Sequence, residues 1–460
     1  VLLSCCSDHL IYPLHESRKM FVVLPILGIS VPIPLQRLVP APPSNLGRMK
    51  PGDNALGFDF GTSGARCAVI DSSGAVVFTP PDYMWGEKER CQEADDWIAA
   101  LHALLDAVPL ELRRQVSRIG VSGTSASVLL CDARTGLPSA RRGPPRMYDF
   151  SVVKQSPDGC GARALELIAE QAPAQHVTRS PTSSLAKLLA WHEEATLQDH
   201  ELLAHQADFI AAQLCGLRGS GGSFCSDWHN ALKVGFDVHA LEYPEWLTGG
   251  QLGKIVASKL PDVVMPGASM GTVTTDVARR WELPAGCIVT GGSTDSISAF
   301  LASGCSAVGE AVTSLGSTLA IKILSTSPVD DASRGIYSHR LGDLWLAGGA
   351  SNVGCAVLRE QGFSTAELEL LSEKFDPEAK PAQPNYYPLP SAVVGERFPI
   401  ADDSRTAVLE PVPPDRVQYL HSILYAIARV ESEGYKALAD LGASPLSKVL
   451  GCGGGARNGQ

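Results

Sequence analysis

The sequence predicts an α/β protein built on a duplicated plan, and three observations carry that prediction. A strand, a turn of glycine and hydroxyl residues and a second strand are written at 57–71 (GFDFGTSGARCAVID) and again at 311–324 (AVTSLGSTLAIKIL). A second echo pairs Ile119–Ser127 (IGVSGTSAS) with Ile288–Ser296 (IVTGGSTDS), each a strand running into glycine and hydroxyl residues. Between these motifs, helical and strand patterns alternate. Paired hairpins of this kind in two halves of a chain imply a nucleotide held between the halves. Coincidence of small-residue turns is the competing account in a chain with 44 glycines.

Taken in order, Ala55–Phe60 reads as a strand, Gly61-Thr62-Ser63-Gly64 as a turn, Arg66–Asp71 as a second strand and Ala75–Thr79 as a third. Glycine lets a backbone approach phosphate closely, and successive N–H groups can form an anion nest. Thr62 and Ser63 add hydroxyl donors, and Asp59 at the strand end suits a cation or a hydroxyl group. An ordinary hairpin turn uses the same residues. Ala94–Val108 places Trp97, Leu101, Leu104 and Leu105 at helical spacing. Gly120–Asp132 crosses a strand, a Gly-Thr-Ser turn and a second strand, and Arg141–Lys154 is an irregular loop. Helical patterns follow around 161–172, 184–194 and 199–215, and Tyr243–Leu247 starts another element.

The second half continues with a strand at 287–290, a helix from Asp295, the hairpin at 311–324 and a strand near 344–347. Helices are expected at 352–361, 364–374 and 415–441, with 376–413 a proline-rich excursion. A last strand, Lys448–Gly451, runs into Gly453-Gly454-Gly455-Ala456-Arg457-Asn458, glycines placed for close approach to a nucleotide.

Composition narrows the function. The 460 residues carry 38 basic and 49 acidic side chains, a net charge of −11, with no run of Lys and Arg. Such a chain is unsuited to gripping nucleic acid or anionic lipid through charge. With 45% hydrophobic and 19% charged residues, disorder is excluded as the overall state. The length fits two or three domains. Twelve cysteines are scattered without a C-x-x-C, so neither a zinc ribbon nor a thioredoxin-type site is written, and a reducing compartment is expected.

Residues 1–54 read as an N-terminal extension, targeting or unstructured. The apolar run 21–35 is interrupted by Pro25, Pro32 and Pro34 and is too short for a membrane span. It fits part of a signal, an organelle-targeting segment, or untranslated sequence read as protein. Met49, just before the first strand, is a candidate start.

Other patterns invite chemistry. Ser184-Leu185-Ala186-Lys187 spells S-x-x-K, but the S-D-N and K-T-G companions are absent, and a helix start after Pro181 explains it. His200-Glu201 and His205 resemble a zincin helix, yet the histidines are five apart, not four, so a helix with polar residues is expected rather than a metal site. Trp228-His229 suits either a sugar pocket or a core. Tyr148-Asp149 suits substrate contact, with a solvated turn as the competing reading. No G-x-x-x-x-G-K-[ST] occurs, so this is not a P-loop enzyme.

In chain order, GFDFGTSGARCAVID at 57–71, SGTSASVLL at 122–130, HQADFIAAQLCG at 205–216, SDWHNALKVGFD at 226–237, GGSTDSISAFLASG at 291–304, TSLGSTLA at 313–320 and GCGGGARN at 451–458 resemble the FGGY family of carbohydrate kinases. The wording of the first motif is similar to the plant and cyanobacterial branch called D-ribulose kinase or xylulose-kinase-like. The resemblance implies two ribonuclease-H-like α/β domains of the actin, Hsp70 and sugar kinase superfamily with a cleft between them. The sugar domain would be 55–285 and the nucleotide domain 286–460, truncated at its C-terminus.

The resemblance also implies roles. Asp295 falls on the catalytic general base, with a helix N-cap as its structural alternative. Asp59 lies by the sugar and the metal–phosphate group, Thr62 faces the transferring phosphate and Ser125 hydrogen-bonds the sugar. Gly316 and Ser317 match the second phosphate hairpin, and Gly454, Gly455 and Asn458 the adenosine and α-phosphate loop. Ser296 stands where many members have Asn. The implied activity is ATP-dependent phosphorylation of a ketopentose, D-ribulose first and D-xylulose second, with Mg²⁺. A non-catalytic ATP-binding scaffold is the alternative from another class. The implied state is a monomer or homodimer without nucleic acid or membrane partners, in the chloroplast or otherwise the cytoplasm.

Overall fold

The computed structural model describes residues 49–50, 52–88, 92–218 and 222–457. The extension over 1–48 and Asn458 lie outside the described residues. The chain divides into two units, the first ending at Gly304 and the second beginning at Cys305. The expected division at 285/286 therefore moves. The segment after it stays with the first unit because its strand hydrogen-bonds into the first sheet.

The strands of the first unit are β1 (Asn54–Phe60), β2 (Gly64–Asp71), β3 (Val76–Phe78), β4 (Tyr83–Met84), β5 (Val116–Gly123), β6 (Val128–Asp132), β7 (Glu201–His205), β8 (Cys225–Asp227), β9 (Asp262–Val264), β10 (Ser269–Thr272) and β11 (Ile288–Thr294). The main sheet has the order β10-β11-β5-β1-β2-β3, with β4 on β2. β1, β2 and β3 form an antiparallel meander, while β1, β5 and β11 run parallel. The buried, near-continuous apolar reading of β1 is what a central strand with parallel neighbours requires.

The helices of this unit are α1 (Ala94–Ala107), α2 (Leu110–Arg113), α3 (Val152–Gln155), α4 (Cys160–Gln171), α5 (Ser184–Glu194), α6 (Gln206–Cys215), α7 (Trp228–Ala231), α8 (Glu245–Thr248), α9 (Gly250–Val256), α10 (Thr275–Trp281) and α11 (Asp295–Ala302). α1 starts at a capping box between Glu93 and Asp96 and buries Trp97, Leu101, Leu104 and Leu105, the periodic residues of the sequence. Trp97 meets Phe209 of α6 edge-on at 6.1 Å, and both join Leu56, Phe58, Ile119 and Val121 in one core. Ser183 caps α5 by accepting from the Ala186 N–H at 3.1 Å, so the S-x-x-K pattern is a helix start.

Two readings of this unit are corrected. Residues 199–215 are not one helix: Glu201–His205 is a fully buried strand paired antiparallel to β6, and the helix begins at Gln206. A short apolar run is ambiguous between helix and strand, and pairing decides it. The second sequence echo also does not relate two halves. Its members are β5 and β11, adjacent strands of one sheet.

The second unit holds β12 (Glu310–Leu315), β13 (Leu319–Ser325), β14 (Tyr337–Leu341), β15 (Leu344–Ser351) and β16 (Lys448–Cys452), ordered β14-β15-β13-β12-β16. β12, β13 and β15 are successive antiparallel neighbours, with β14 antiparallel on the outer edge of β15 and β16 parallel to β12. β12 and β13 thus repeat the roles of β1 and β2, and β16 repeats that of β5. Its helices are α12 (Ala356–Glu360), α13 (Thr365–Ser372) and α14 (Arg416–Asp440). The proline-rich stretch lacks helix and strand, yet Tyr386, Tyr387, Leu389 and Phe398 from it are buried with Ile321, Leu420 and Ile423. Buried Glu396 anchors it by accepting from Ser351 Oγ at 2.7 Å, the Asn352 N–H at 2.8 Å and Tyr387 OH at 3.0 Å.

Candidate active site

The C-terminal ends of β1, β5 and β11 lie side by side, and a parallel sheet gathers functional residues at such ends. Register places Asp59 of β1 opposite Ser122 of β5, and Ser293 of β11 opposite the same Ser122. Asp295 follows two residues later at the start of α11. The approach of β11 to β5 depends on glycine: a Cβ on Gly292 would stand 1.8 Å from the Val121 carbonyl oxygen. The β11 register shifts between Thr290 and Ser293, the irregularity that re-aims the strand end.

Electrostatics at these strand ends are unusual for a carboxylate. Ser122 Oγ donates to Asp59 Oδ1 at 3.1 Å, and Arg66 Nη1 stands 3.8 Å from Asp59 Oδ2. Burial lifts the Asp59 carboxyl to about 6, and the negative charge of Asp295 adds to the lift against Arg66 and Ser122. Asp295 Oδ1 accepts from the Ser296 N–H at 2.7 Å, and the N-cap position belongs to Thr294, so the alternative reading of Asp295 as the cap does not hold.

Thr62 sits half-buried in the turn between β1 and β2. Trp85 Nε1 donates to the Gly61 carbonyl at 2.9 Å, and Gln92 Nε2 to the Thr62 carbonyl at 3.4 Å. Gln92 continues through Gln206 to Thr124, whose N–H and hydroxyl both donate to Gln206 Oε1, at 2.9 and 2.8 Å. A chain of amides therefore connects this turn to the loop carrying Ser125, two residues past β5. Sequence reasoning missed Trp85, Gln92 and Gln206, because lone amides and indoles in loops carry no spacing signal.

Trp228 and His229 are buried, and His229 Nδ1 meets Ser293 Oγ at 2.8 Å, which favours the core reading. Asp227 accepts from the N–H groups of His229 and Asn230 and from Asn230 Nδ2, and burial raises its pKa. His205 pairs with Asp208 at 2.7 Å on a buried strand-to-helix junction. Among the described residues no group of three or more His, Cys, Asp or Glu is set to hold a metal, and no helix is long and apolar enough to cross a membrane.

In the second unit, Gly316 and Ser317 form the turn between β12 and β13. The Gly316 carbonyl accepts from the Cys355 N–H at 2.8 Å, and Ser317 Oγ accepts from Arg359 Nη2 at 3.0 Å. The glycine turn after β16 packs on the end of β12: a Cβ on Gly455 would lie 2.6 Å from Leu315 Cγ and 2.8 Å from Cys355 Sγ. Gly316, Ser317, Gly454 and Gly455 are thus brought to one end of this sheet.

Each unit has an antiparallel hairpin with a glycine–hydroxyl turn and a later strand parallel to the hairpin's first strand, a ribonuclease-H-like α/β plan written twice. Residues 311–459 match the family model described as FGGY family of carbohydrate kinases, C-terminal domain. The sedoheptulokinase of Mus musculus is 25% identical, over 50% of this chain and 51% of its own length. The chain thus spans about half the length of this curated relative.

Solved structures share the fold. A xyloylose kinase from Brucella ovis has a TM-score of 0.71 at 21% identity, covering 88% of this chain and 83% of its own. A glycerol kinase from Plasmodium falciparum with ADP has a TM-score of 0.69 at 15% identity, with the same two shares. A xylulose kinase from Bifidobacterium adolescentis has a TM-score of 0.68 at 17% identity, covering 88% and 86%.

Proposed function

We propose that the protein transfers the γ-phosphoryl group of ATP to a ketopentose, converting D-ribulose to D-ribulose 5-phosphate. The observation that carries this reading is the pair Asp59, opposite Ser122, and Asp295, two residues past the Ser293 that faces Ser122 from β11, close enough for the charge of Asp295 to raise the pKa of Asp59. A sugar hydroxyl is a weak nucleophile, and a carboxylate can orient it and take its proton while the new O–P bond forms and the bond to ADP breaks. Asp295 has that role. Asp59 holds the sugar and the phosphate-bound cation, and Ser125 hydrogen-bonds the sugar. Thr62 faces the moving phosphoryl group. Gly316, Ser317, Gly454, Gly455 and Asn458 serve the nucleotide.

Two carboxylates that repel each other suit a divalent cation, and Mg²⁺ takes one or two carboxylates when phosphates and water complete its shell. Asp59 would hold it beside the phosphates, with proton abstraction left to Asp295, and when bound it neutralises phosphate charge. The branch wording of 57–71 supports D-ribulose, and D-xylulose is the second reading because xylulose kinases are among the proteins sharing the fold. The same branch resemblance supports residence in the chloroplast.

The test is ADP release with Mg-ATP and D-ribulose, D-xylulose, L-ribulose, sedoheptulose, glycerol or no sugar. Turnover with D-ribulose above the rest, falling at least about a thousandfold in Asp295→Asn with sugar binding retained, is the expected result. Nucleotide binding without sugar-dependent ADP release on the panel would instead point to a scaffold.

A further inference from the structure

We propose that Lys187 is a positioning residue for the sugar site, the joint that locks the loop Thr124–Ser127 to the loop Arg146–Phe150. The identity of the ligand rests on the kinase reading above; the joint rests on geometry alone.

Lys187 is fully buried, and lysine is almost never so unless its donors are used. Its Nζ donates to the Ala126 carbonyl at 2.8 Å and to the Met147 carbonyl at 2.7 Å, one from each loop. Ala126 directly follows Ser125 and has φ of +65°, a left-handed conformation that a residue with a Cβ adopts only when its surroundings hold it there. Met147 directly precedes Tyr148 and Asp149. One amine therefore fixes the backbone beside both candidate sugar-contacting segments.

The rest of the same helix face serves the same loop. Lys187, Trp191 and Glu194 stand at i, i+4 and i+7 on α5. Arg146 lies over the ring of Trp191 at 4.3 Å and over that of Phe150 at 4.8 Å, pairs with Glu194, and donates Nη1 to the Lys187 carbonyl at 3.0 Å. A hydrophobic side chain at 187 would fill the space but strip the Ala126 carbonyl of its donor and leave the Met147 carbonyl with the Phe150 N–H at 2.9 Å as its remaining backbone donor. Burial lowers the Lys187 pKa to about 6; Lys233 and Arg146 add to the effect, and Asp149 opposes it.

The test uses the full chain and Lys187→Met, which keeps the aliphatic bulk and removes the donors. The expected KM for the ketose rises about tenfold, while kcat and the KM for ATP stay within about twofold. Amide exchange in the sugar-free protein rises in 124–127 and 146–150 together. Equal changes in both KM values, or faster exchange in one segment only, overturn the joint. Should this variant fail to fold, Glu194→Gln releases Arg146 alone. Exchange then rises at 146–150 only and the ketose KM increases about threefold; no change in either overturns the positioning role of α5. Absence of ADP release by the wild type with every sugar defeats the kinase reading, and the exchange measurement still decides the joint.

Discussion

Asp59 and Ser122 stand opposite each other across the parallel strands β1 and β5, and the Ser122 hydroxyl donates to Asp59 Oδ1 at 3.1 Å. That hydrogen bond favours the ionised carboxylate, while burial and Asp295 favour the protonated one and prevail.

The pH dependence follows from this imbalance. Asp59 titrates near 6 in the folded protein against an ordinary 3.8, so between these values the folded state binds more protons than the unfolded one. Its contribution to stability is fully present below the ordinary value and is lost as pH rises through about 6. Asp59→Asn removes the titration. Its melting temperature relative to wild type should climb between those two pH values and level off above them. Thermal melts across this range check it, and a pH-independent offset would contradict it.

Gly292 tests the strand approach. An added Cβ meets the Val121 carbonyl oxygen at 1.8 Å, a backbone atom that cannot swing away. Gly292→Ala should lose at least about 3 kcal/mol in urea unfolding or fail to accumulate as folded protein. Gly286→Ala, where the Cβ meets nothing within 4 Å, should stay within about 0.5 kcal/mol.

Arg142 and Glu201 form a buried pair, with side-chain exposures of 5% and 0% and a closest separation of 2.7 Å. Burial pushes the Glu201 carboxyl up, but Arg142, the Gln198 N–H and Ser139 outweigh it and hold the pKa at about 2. The pair's contribution is present above the ordinary value of 4.5 and lost as pH falls through about 2. Arg142→Met should cost about 3 kcal/mol near neutral pH, with the deficit shrinking under acid conditions. Denaturation at pH 7 and in mild acid measures both.

Gly455 tests the nucleotide role proposed for the turn after β16. Alanine there would push the turn off Leu315 and Cys355, which it meets at 2.6 and 2.8 Å. Calorimetry should give about tenfold weaker binding of a non-hydrolysable ATP analogue with unchanged ketose binding. Unchanged nucleotide binding removes the turn from that site.

Legibility varied with how local the signal was. The turns Gly61-Thr62-Ser63 and Gly316-Ser317-Thr318, the face of α1 and the cap of α5 are each set by a few neighbouring residues, and each could be read along the chain. Glu201–His205 could not, because its strand state comes from pairing with β6. The buried side of 376–413 was hidden by its prolines, which exclude regular structure without excluding a core role. Lys187 was recognised only as part of a misleading motif. The carbonyls that explain it lie 61 and 40 residues away.

By itself the sequence determined the duplicated strand–turn–strand plan, the glycine and hydroxyl residues of its turns, and the acidic residues at strand ends. These follow from local sterics and side-chain chemistry. Only the tertiary structure decided that Asp59, Ser122 and Asp295 come together in one unit at the ends of adjacent strands, that β16 rather than β11 answers to β5, and which buried donors bind the loops of the candidate site. Those outcomes depend on hydrogen-bond register and on the desolvation of groups far apart in the chain, neither of which is encoded in any single stretch of residues.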